Sequence, residues 1–337
     1  MSEQAGKVPQ GGGDKPAEVD IALATYNGMP YLEELLDSLE AQSARRLRVV
    51  ASDDGSTDRT LECLARPRAG LAVTLAEGKP RGNILRNFEN ALEATTAPYV
   101  ALCDQDDVWD KEKVASLLER VKEAEARLGP GVPVLAFCDL EVVDRELRTI
   151  SPSLFGATRK TGKARHFRDY VLNNHVPGCA MLMNRALLDM ALPYPALDIH
   201  DHWLIQIAAL FGAVEFVDRS LIKYRQHGAN NIGLGSAGRT RAQRVLAGVT
   251  VMPRQLAARP RLWRVQADSI RRNMAALHER FGDRIPEDSD RETIAAVLVG
   301  DRAAMHACLG EALTGERAVD YRGVLWTLSR AARKSKC

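Results

Sequence analysis

The sequence predicts an α/β protein: a nucleotide-binding type of mixed sheet flanked by helices, followed by a helical C-terminal extension. Three observations predict it. From Val19 onward, short apolar runs alternate with helical patterns. Polar or acidic clusters close three of the predicted strands. After Ile232 the strand signal disappears, and the rest of the chain reads as helical, Arg-rich and Ala-rich.

The elements follow in order. Val19–Thr25 reads as a buried strand, and Tyr26-Asn27-Gly28 as the turn after it. Pro30 then suits a first helical turn, where its missing N–H costs nothing. Leu32, Leu35, Leu36 and Leu39 recur at i, i+3, i+4 and i+7, an amphipathic helix. Leu47–Ser52 is a second strand, ending in Asp53-Asp54-Gly55, and Ser56 is placed to cap the helix carrying Leu61 and Leu64. Leu71–Leu75 is a third strand, and Ile84, Leu85, Phe88 and Leu92 mark another helix. Pro98–Cys103 is a fourth strand, ending in Asp104-Gln105-Asp106-Asp107. Val114, Leu117, Leu118 and Val121 define the helix after it. The right-handed crossover rule folds this run into a parallel sheet. Beyond it the pattern is more mixed. Strands fall near Val134–Phe137, Cys179–Met183, Val214–Val217 and Ser220–Tyr224, and helices near Ala186–Met190 and His202–Phe211. The expected organisation is a leader over residues 1–18, a catalytic-type domain over 19–233 and a basic helical region over 234–337.

Composition excludes several classes of function. The 337 residues are 45% hydrophobic and 27% charged, the balance of a globular chain with a real core. Net charge is +2, so no molecule-wide field draws polyanions. The charge is divided, however. From Leu234 onward 19 Lys/Arg face 11 Asp/Glu, a surplus of 8, whereas the first 233 residues carry 27 against 33. The six cysteines (Cys63, Cys103, Cys138, Cys179, Cys308 and Cys337) form no CxxC pair, and no secretory signal precedes them. That pattern suits a reduced, cytoplasmic protein. The longest near-apolar stretch, Trp203 to Val217, is too short and interrupted to span a bilayer of about 20 residues.

Ligands of open α/β sheets bind outside the carboxyl ends of the strands. Three clusters sit there: Thr25-Tyr26-Asn27, Asp53-Asp54 and Asp104-Gln105-Asp106-Asp107. Asp and Asn also serve as turn and cap residues, and Asp53-Asp54-Gly55-Ser56 alone fits either role. The Asp104 cluster is different, because three carboxylates in four residues repel one another. A divalent cation removes that cost. Asp104 and Asp106, two apart in extended chain, point the same way and could share Mg²⁺ or Mn²⁺. A metal so held keeps open positions that suit substrate phosphates. No P-loop GxxxxGK[ST] occurs, and the GxGxxG at 233–238 follows a polar segment rather than a strand, so it reads as a chance match. His200-Asp201-His202-Trp203 and Tyr224-Arg225-Gln226-His227 supply a further carboxylate and further imidazoles: one to accept a proton, one to complete a metal shell.

In this order, Ala24-Thr25-Tyr26-Asn27-Gly28, Ser52-Asp53-Asp54-Gly55-Ser56-Thr57-Asp58 and Leu102-Cys103-Asp104-Gln105-Asp106-Asp107-Val108-Trp109 resemble glycosyltransferase family 2, inverting enzymes of the GT-A fold that use nucleotide sugars. Pro177-Gly178-Cys179-Ala180-Met181-Leu182, His200-Asp201-His202-Trp203 and Tyr224-Arg225-Gln226-His227-Gly228 look like the branch with bacterial rhamnosyltransferases of surface polysaccharide assembly. The likeness covers roughly Val19 to Asn231. It implies that Thr25, Tyr26, Asn27 and Asp54 hold the base and ribose. Arg86 and Asn87 are implied as weaker diphosphate or ribose contacts. Asp104 and Asp106 would be the DxD pair, with Gln105 between them at the nucleotide sugar and Asp106 the nearer ligand of Mn²⁺ or Mg²⁺. Asp201 stands at the catalytic base, with a histidine before it where the family has Glu. His227 matches a histidine that contacts metal or diphosphate, and Gly178 would let a sugar approach the backbone. The absence of a QxxRW block implies a single transfer per encounter.

The expected partners are a nucleotide-sugar donor, dTDP-L-rhamnose among the candidates, and a saccharide or lipid-linked acceptor; nucleic acid is not expected. Two other functions use the same residues: a metal-dependent phosphoryl or phosphodiester hydrolase, and a non-catalytic nucleotide-sugar-binding module. The basic tail, with Arg239, Arg241, Arg244, Arg254, Arg259, Arg261, Arg264, Arg271 and Arg272 among apolar residues, has three readings. It packs on the catalytic domain, rests peripherally on the anionic inner face of the cell membrane, or drives homo-oligomerisation.

Overall fold

The structure, a computed structural model, describes residues 16–158, 164, 166–174, 176–227, 241–310 and 318–334, with the side chains of 241–259, 318–320 and 331–334 outside the description. The first half runs β1 (Val19–Thr25), α1 (Leu32–Glu40), β2 (Leu47–Asp53), α2 (Thr60–Ala65), β3 (Ala72–Leu75), α3 (Ile84–Glu93), β4 (Tyr99–Asp104), β5 (Val108–Trp109) and α4 (Lys113–Leu128). Then follow β6 (Val134–Val143), β7 (Thr149–Ser151), α5 (Leu154–Thr158), β8 (Met181–Asn184), α6 (Arg185–Ala191), α7 (His200–Phe211) and β9 (Ala213–Arg225). The C-terminal region is α8 (Arg241–Phe281), α9 (Asp288–Val299), α10 (Arg302–Leu309) and α11 (Ala318–Lys334).

The strands form one sheet in the order β3-β2-β1-β4-β8-β6-β9-β5, with β7 paired to β6. The four strands of the first half are parallel, as the crossover rule predicts. The sheet then turns mixed at β8, which is antiparallel to both β4 and β6. Register places the ligand-bearing edge. Thr25 pairs with Asp53 while Ala24 pairs with Asp104, so the three polar clusters end level with one another. The leucines of α1 all face the core, as their spacing requires.

Several local expectations are corrected. Pro30 lies in the turn before α1, which begins at Leu32. Ser56 caps no helix: its hydroxyl donates to Asp53, and Asp58 instead accepts from the Thr60 N–H at the start of α2. Two predicted strands, Val214–Val217 and Ser220–Tyr224, are one strand, β9, whose register against β6 shifts near Cys138 and Asp139. The two-residue β5 gives no signal of its own in sequence. The leader and the boundary at residue 233 fall almost entirely outside the described residues.

Helix α7 is buried on nearly every side, which explains why it reads as uniformly apolar. The sheet covers one flank and α8 another. Trp203 of α7 stacks near Phe281, and Arg280 of α8 donates to the carbonyls of Ala191 (2.8 Å) and Pro193 (2.5 Å). Asn273 donates to Gln206 at 3.2 Å. The described part of the basic tail therefore packs on the α/β unit. Among the described residues no helix is long and apolar enough to cross a membrane.

One buried carboxylate ties the parallel strands together. Asp20, on β1 and without exposure, takes a two-pronged bond from Arg48 of β2 (2.8 and 2.6 Å). It also accepts from the backbone N–H groups of Thr96 (2.7 Å) and Ala97 (2.9 Å) before β4. Burial opposes its ionisation, but these donors outweigh burial and hold its carboxyl below the ordinary range. Its contribution is thus present above the unfolded pKa near 4 and is lost as pH falls through the lower folded value. Replacing Asp20 by Asn is expected to destabilise the fold by about 3 kcal/mol at pH 7. Urea denaturation should show that gap shrinking below about pH 4.

Candidate active site

The site forms where β1, β2 and β4 end, closed by the segments before α7 and after β9. Its first wall is a network of self-pairing polar residues. Thr25 is buried, and its hydroxyl donates to Asp53 at 2.7 Å. Asn27 adopts a left-handed backbone (φ 49°) and accepts the Thr57 N–H at 2.8 Å. Gln105 clamps Tyr26 through both its backbone groups, accepting from N–H (2.8 Å) and donating to C=O (3.0 Å). That leaves the Tyr26 ring more than half exposed at the rim. Asp54 accepts from the N–H groups of Arg81 and Gly82, which pins the 78–82 loop over this end. Asn87 is buried and donates to the Thr25 carbonyl (3.0 Å), whereas Arg86 pairs with Glu89 (2.6 Å) and donates to the carbonyl of Tyr194 (3.1 Å).

The acidic tip is the second wall. Asp104 ends β4 and the chain turns at Gln105-Asp106. The extended-chain argument for a common direction of Asp104 and Asp106 therefore does not describe this turn. Asp106 lies 2.7 Å from Nε2 of His227, whose ring stacks on Tyr31 at 4.8 Å. Asp104 keeps company with Asp107 and the Cys179 thiol, the three ligand atoms lying within 4.8 Å of one another. Burial and the neighbouring Asp106 push the Asp104 carboxyl up to about 7. Asp107 is raised by burial and by both neighbours, and its Oδ2 is buried without a hydrogen-bond partner. Burial likewise holds the Cys179 thiol protonated, which makes it a poor ligand. What remains is an oxygen-rich set with one imidazole, the donors a hard divalent cation takes.

Two cations that the sequence reading did not assign to the site support this tip. Lys113 is fully buried, donates to the Cys179 carbonyl (2.7 Å) and lies over the Trp109 ring; burial lowers its pKa to about 8. Arg225, also buried, donates to the Asp106 carbonyl (2.9 Å), the Arg145 carbonyl (2.5 Å) and Glu34. Its own N–H reaches Asp107 at 3.2 Å. Arg225 belongs to the same short block as His227, so its place was legible; Lys113, one turn-starting lysine among many surface ones, was not.

The third wall carries Asp201, buried in the first turn of α7. It accepts from Asn174 Nδ2 (2.6 Å), the His202 N–H (2.7 Å) and the Gly178 N–H (3.1 Å). Gly178 and Cys179 thus join Asp201 to the acidic tip through two consecutive residues. Gly178 has a packing reason to lack a side chain, because a Cβ there would meet His200 Nε2 at 2.9 Å. The structure therefore brings Asp104, Asp106, His227, Gly178 and Asp201 to one edge of the sheet. It gives Thr25, Asn27 and Asn87 intramolecular bonds that shape the wall.

Comparison with known proteins places this arrangement. Residues 20–190 match the sequence model of Glycosyl transferase family 2. An uncharacterized glycosyltransferase of Nostoc sp. is 23% identical, over 64% of this chain and 66% of its own length, so the chain spans about two thirds of that relative. The dTDP-rhamnosyl transferase RfbG of Shigella flexneri is 25% identical, over 66% of this chain and 78% of its own. Among solved structures, S. aureus TarS 1-349 in complex with UDP-GlcNAc superposes with a TM-score of 0.52 at 16% identity, covering 94% of this chain and 92% of that one. The Pyrobaculum calidifontis mannosyltransferase PcManGT, in complex with GDP-Man and Mn²⁺, gives 0.51 at 18% identity, covering 95% and 87%. These structures share the GT-A type of fold.

Replacing Arg225 by Met removes a buried cation and leaves its acceptors unpaired. The expected loss is about 3 kcal/mol of stability, read as a lower urea midpoint at unchanged m-value.

Proposed function

The chain belongs to glycosyl transferase family 2, and from that premise we propose that it moves a sugar from a nucleoside-diphosphate sugar to a hydroxyl of a saccharide or lipid-linked acceptor, with inversion. The observation that carries this reading is the placement of Asp201. A carboxylate oriented by three donors stands two residues along the chain from the Asp104–Asp107 tip. In the proposed step Asp201 accepts the proton of the acceptor hydroxyl while that oxygen attacks the anomeric carbon. The bond to the nucleoside diphosphate breaks on the opposite face. General-base assistance of this kind is worth about 10²–10⁴ in rate.

Asp106, Asp104 and His227 would hold a divalent cation. That cation would offset charge on the departing phosphate, a contribution that is usually large. The Mn²⁺ in the mannosyltransferase complex supports manganese as the ion to test first. At the other end, Tyr26, Asn27, Asp54 and the 78–82 loop would frame the base and ribose, with Thr25 and Asn87 fixing that wall from behind. Arg86 and Gln105 border it. The likeness to RfbG supports dTDP-L-rhamnose as a donor and surface polysaccharide as the setting. A peripheral position on the inner membrane face would bring a lipid-linked acceptor within reach.

Replacing Asp201 by Asn should lower kcat at least about 100-fold while the nucleoside diphosphate still binds, as measured by initial rates and calorimetry on one preparation. Full activity in that variant would remove Asp201 from the chemistry. Thermal-shift titration with UDP, dTDP and GDP should show stabilisation by one of them that grows with Mn²⁺, and Asp106→Ala should abolish the manganese-dependent part. A hydrolase would be stabilised by Mn²⁺ alone and would release phosphate.

A further inference from the structure

Among the described residues, seven buried side-chain polar atoms have no hydrogen-bond partner, and four of them belong to three residues around Asp201. They are Nδ1 and Nε2 of His200, the Tyr194 hydroxyl and Oδ1 of Asn87. Folded proteins pair nearly all such atoms, so several orphans in one corner call for a partner that arrives from outside. His200 immediately precedes Asp201 and is only 7% exposed. Its ring lies 4.3 Å from that of Phe88, the neighbour of Asn87, and its Nε2 faces the open side of Gly178. Tyr194 lies close enough to Asp201 for that carboxylate to help raise its hydroxyl pKa, after burial and Glu89. The three residues thus border one corner, reached from α3, from the segment before α7 and from α7 itself.

The chemistry of the orphans selects the ligand. Burial lowers the His200 pKa to about 4, so the ring is neutral and offers one donor and one acceptor. The Tyr194 hydroxyl offers the same pair, and Asn87 Oδ1 is an acceptor. No cation among them favours phosphate, and Asp201 alongside repels a carboxylate. A hydroxyl, which both donates and accepts, matches the set.

We propose that His200, Tyr194 and Asn87 form a sugar-hydroxyl subsite beside Asp201, in which the His200 imidazole bonds a ring hydroxyl of the reacting saccharide. This deepens the glycosyl-transfer reading and rests on it. The hydroxyl belongs to the donor sugar or to the acceptor, and the test separates them. An orphaned imidazole stabilises nothing in the free protein, so its removal should not cost stability.

The experiment compares the full chain with His200→Phe and His200→Gln. Calorimetry uses UDP, dTDP and GDP with UDP-GlcNAc, dTDP-rhamnose and GDP-mannose; donor hydrolysis, transfer and melting temperature are followed alongside. If the parent binds none of these, the glycosyl-transfer reading falls and takes the subsite with it. Given binding, His200→Phe is expected to keep nucleoside-diphosphate affinity within about twofold and its melting temperature unchanged or raised. It should weaken the sugar-dependent step by about tenfold or more, and His200→Gln should recover part of the loss. Loss of the affinity gained from the donor sugar assigns the hydroxyl to the donor. Loss of transfer with donor hydrolysis intact assigns it to the acceptor. Parent-like affinity and transfer in His200→Phe would overturn the subsite while leaving the enzyme's function standing. A lowered melting temperature with sugar and nucleoside-diphosphate affinities falling together would overturn it as well, because that marks a packing role.

Discussion

Carboxylates crowded into a dry strand end are the constraint around which this molecule is built. Asp104, Asp106 and Asp107 follow one another within four residues, and two of them are raised by burial and by mutual repulsion. Such a cluster costs stability unless positive charge is brought to it. The fold supplies two cations of its own: Lys113 within the protein behind the tip, and Arg225 along the turn that carries Asp106. Neither bonds the Asp106 carboxylate, which meets His227 instead. The tip is thus braced by protein yet still rich in oxygen donors, a state that a divalent cation and a diphosphate could complete.

The bracing explains the unusual second half of the sheet. Strand β9 must reach the tip from the far side to deliver Arg225 and His227, and it does so by running thirteen residues beside β6. Strand β8 lies antiparallel between β4 and β6, and the short helical turn before it, Gly178–Ala180, touches both Asp201 and the acidic cluster. Packing carries these positions outward. Asn273, Gln266 and Arg280 of α8 bond to α7 and to the segments on either side of it. The C-terminal helices therefore support the element bearing Asp201, whatever else their arginines do.

Polar groups near Asp201 fall into two kinds. Asp201 itself is satisfied three times over by protein donors, which fixes its orientation. His200, Tyr194 and Asn87 are left with atoms unpaired in the same corner. A group held rigidly for its task beside groups that await a partner is the arrangement expected where a ligand completes the structure.

Local pattern in the sequence determined the parallel half of the fold, the helices packed on it and the three polar strand ends, because apolar periodicity and crossover handedness are properties of neighbouring residues. It also pointed to Asp201, His227 and the Asp104–Asp107 run, since carboxylates and imidazoles at strand ends have few structural uses. Tertiary structure alone decided that Ser56 serves Asp53 rather than a helix, that two predicted strands are one, and that Lys113 lies beneath the tip. It also decided that Gly178 is small because His200 packs against it, and that Thr25 and Asn87 spend their side chains on neighbours within the fold. Each of these depends on contacts between residues tens to more than a hundred positions apart, and hydrogen-bond partners at that separation leave no period or spacing in the chain from which to read them.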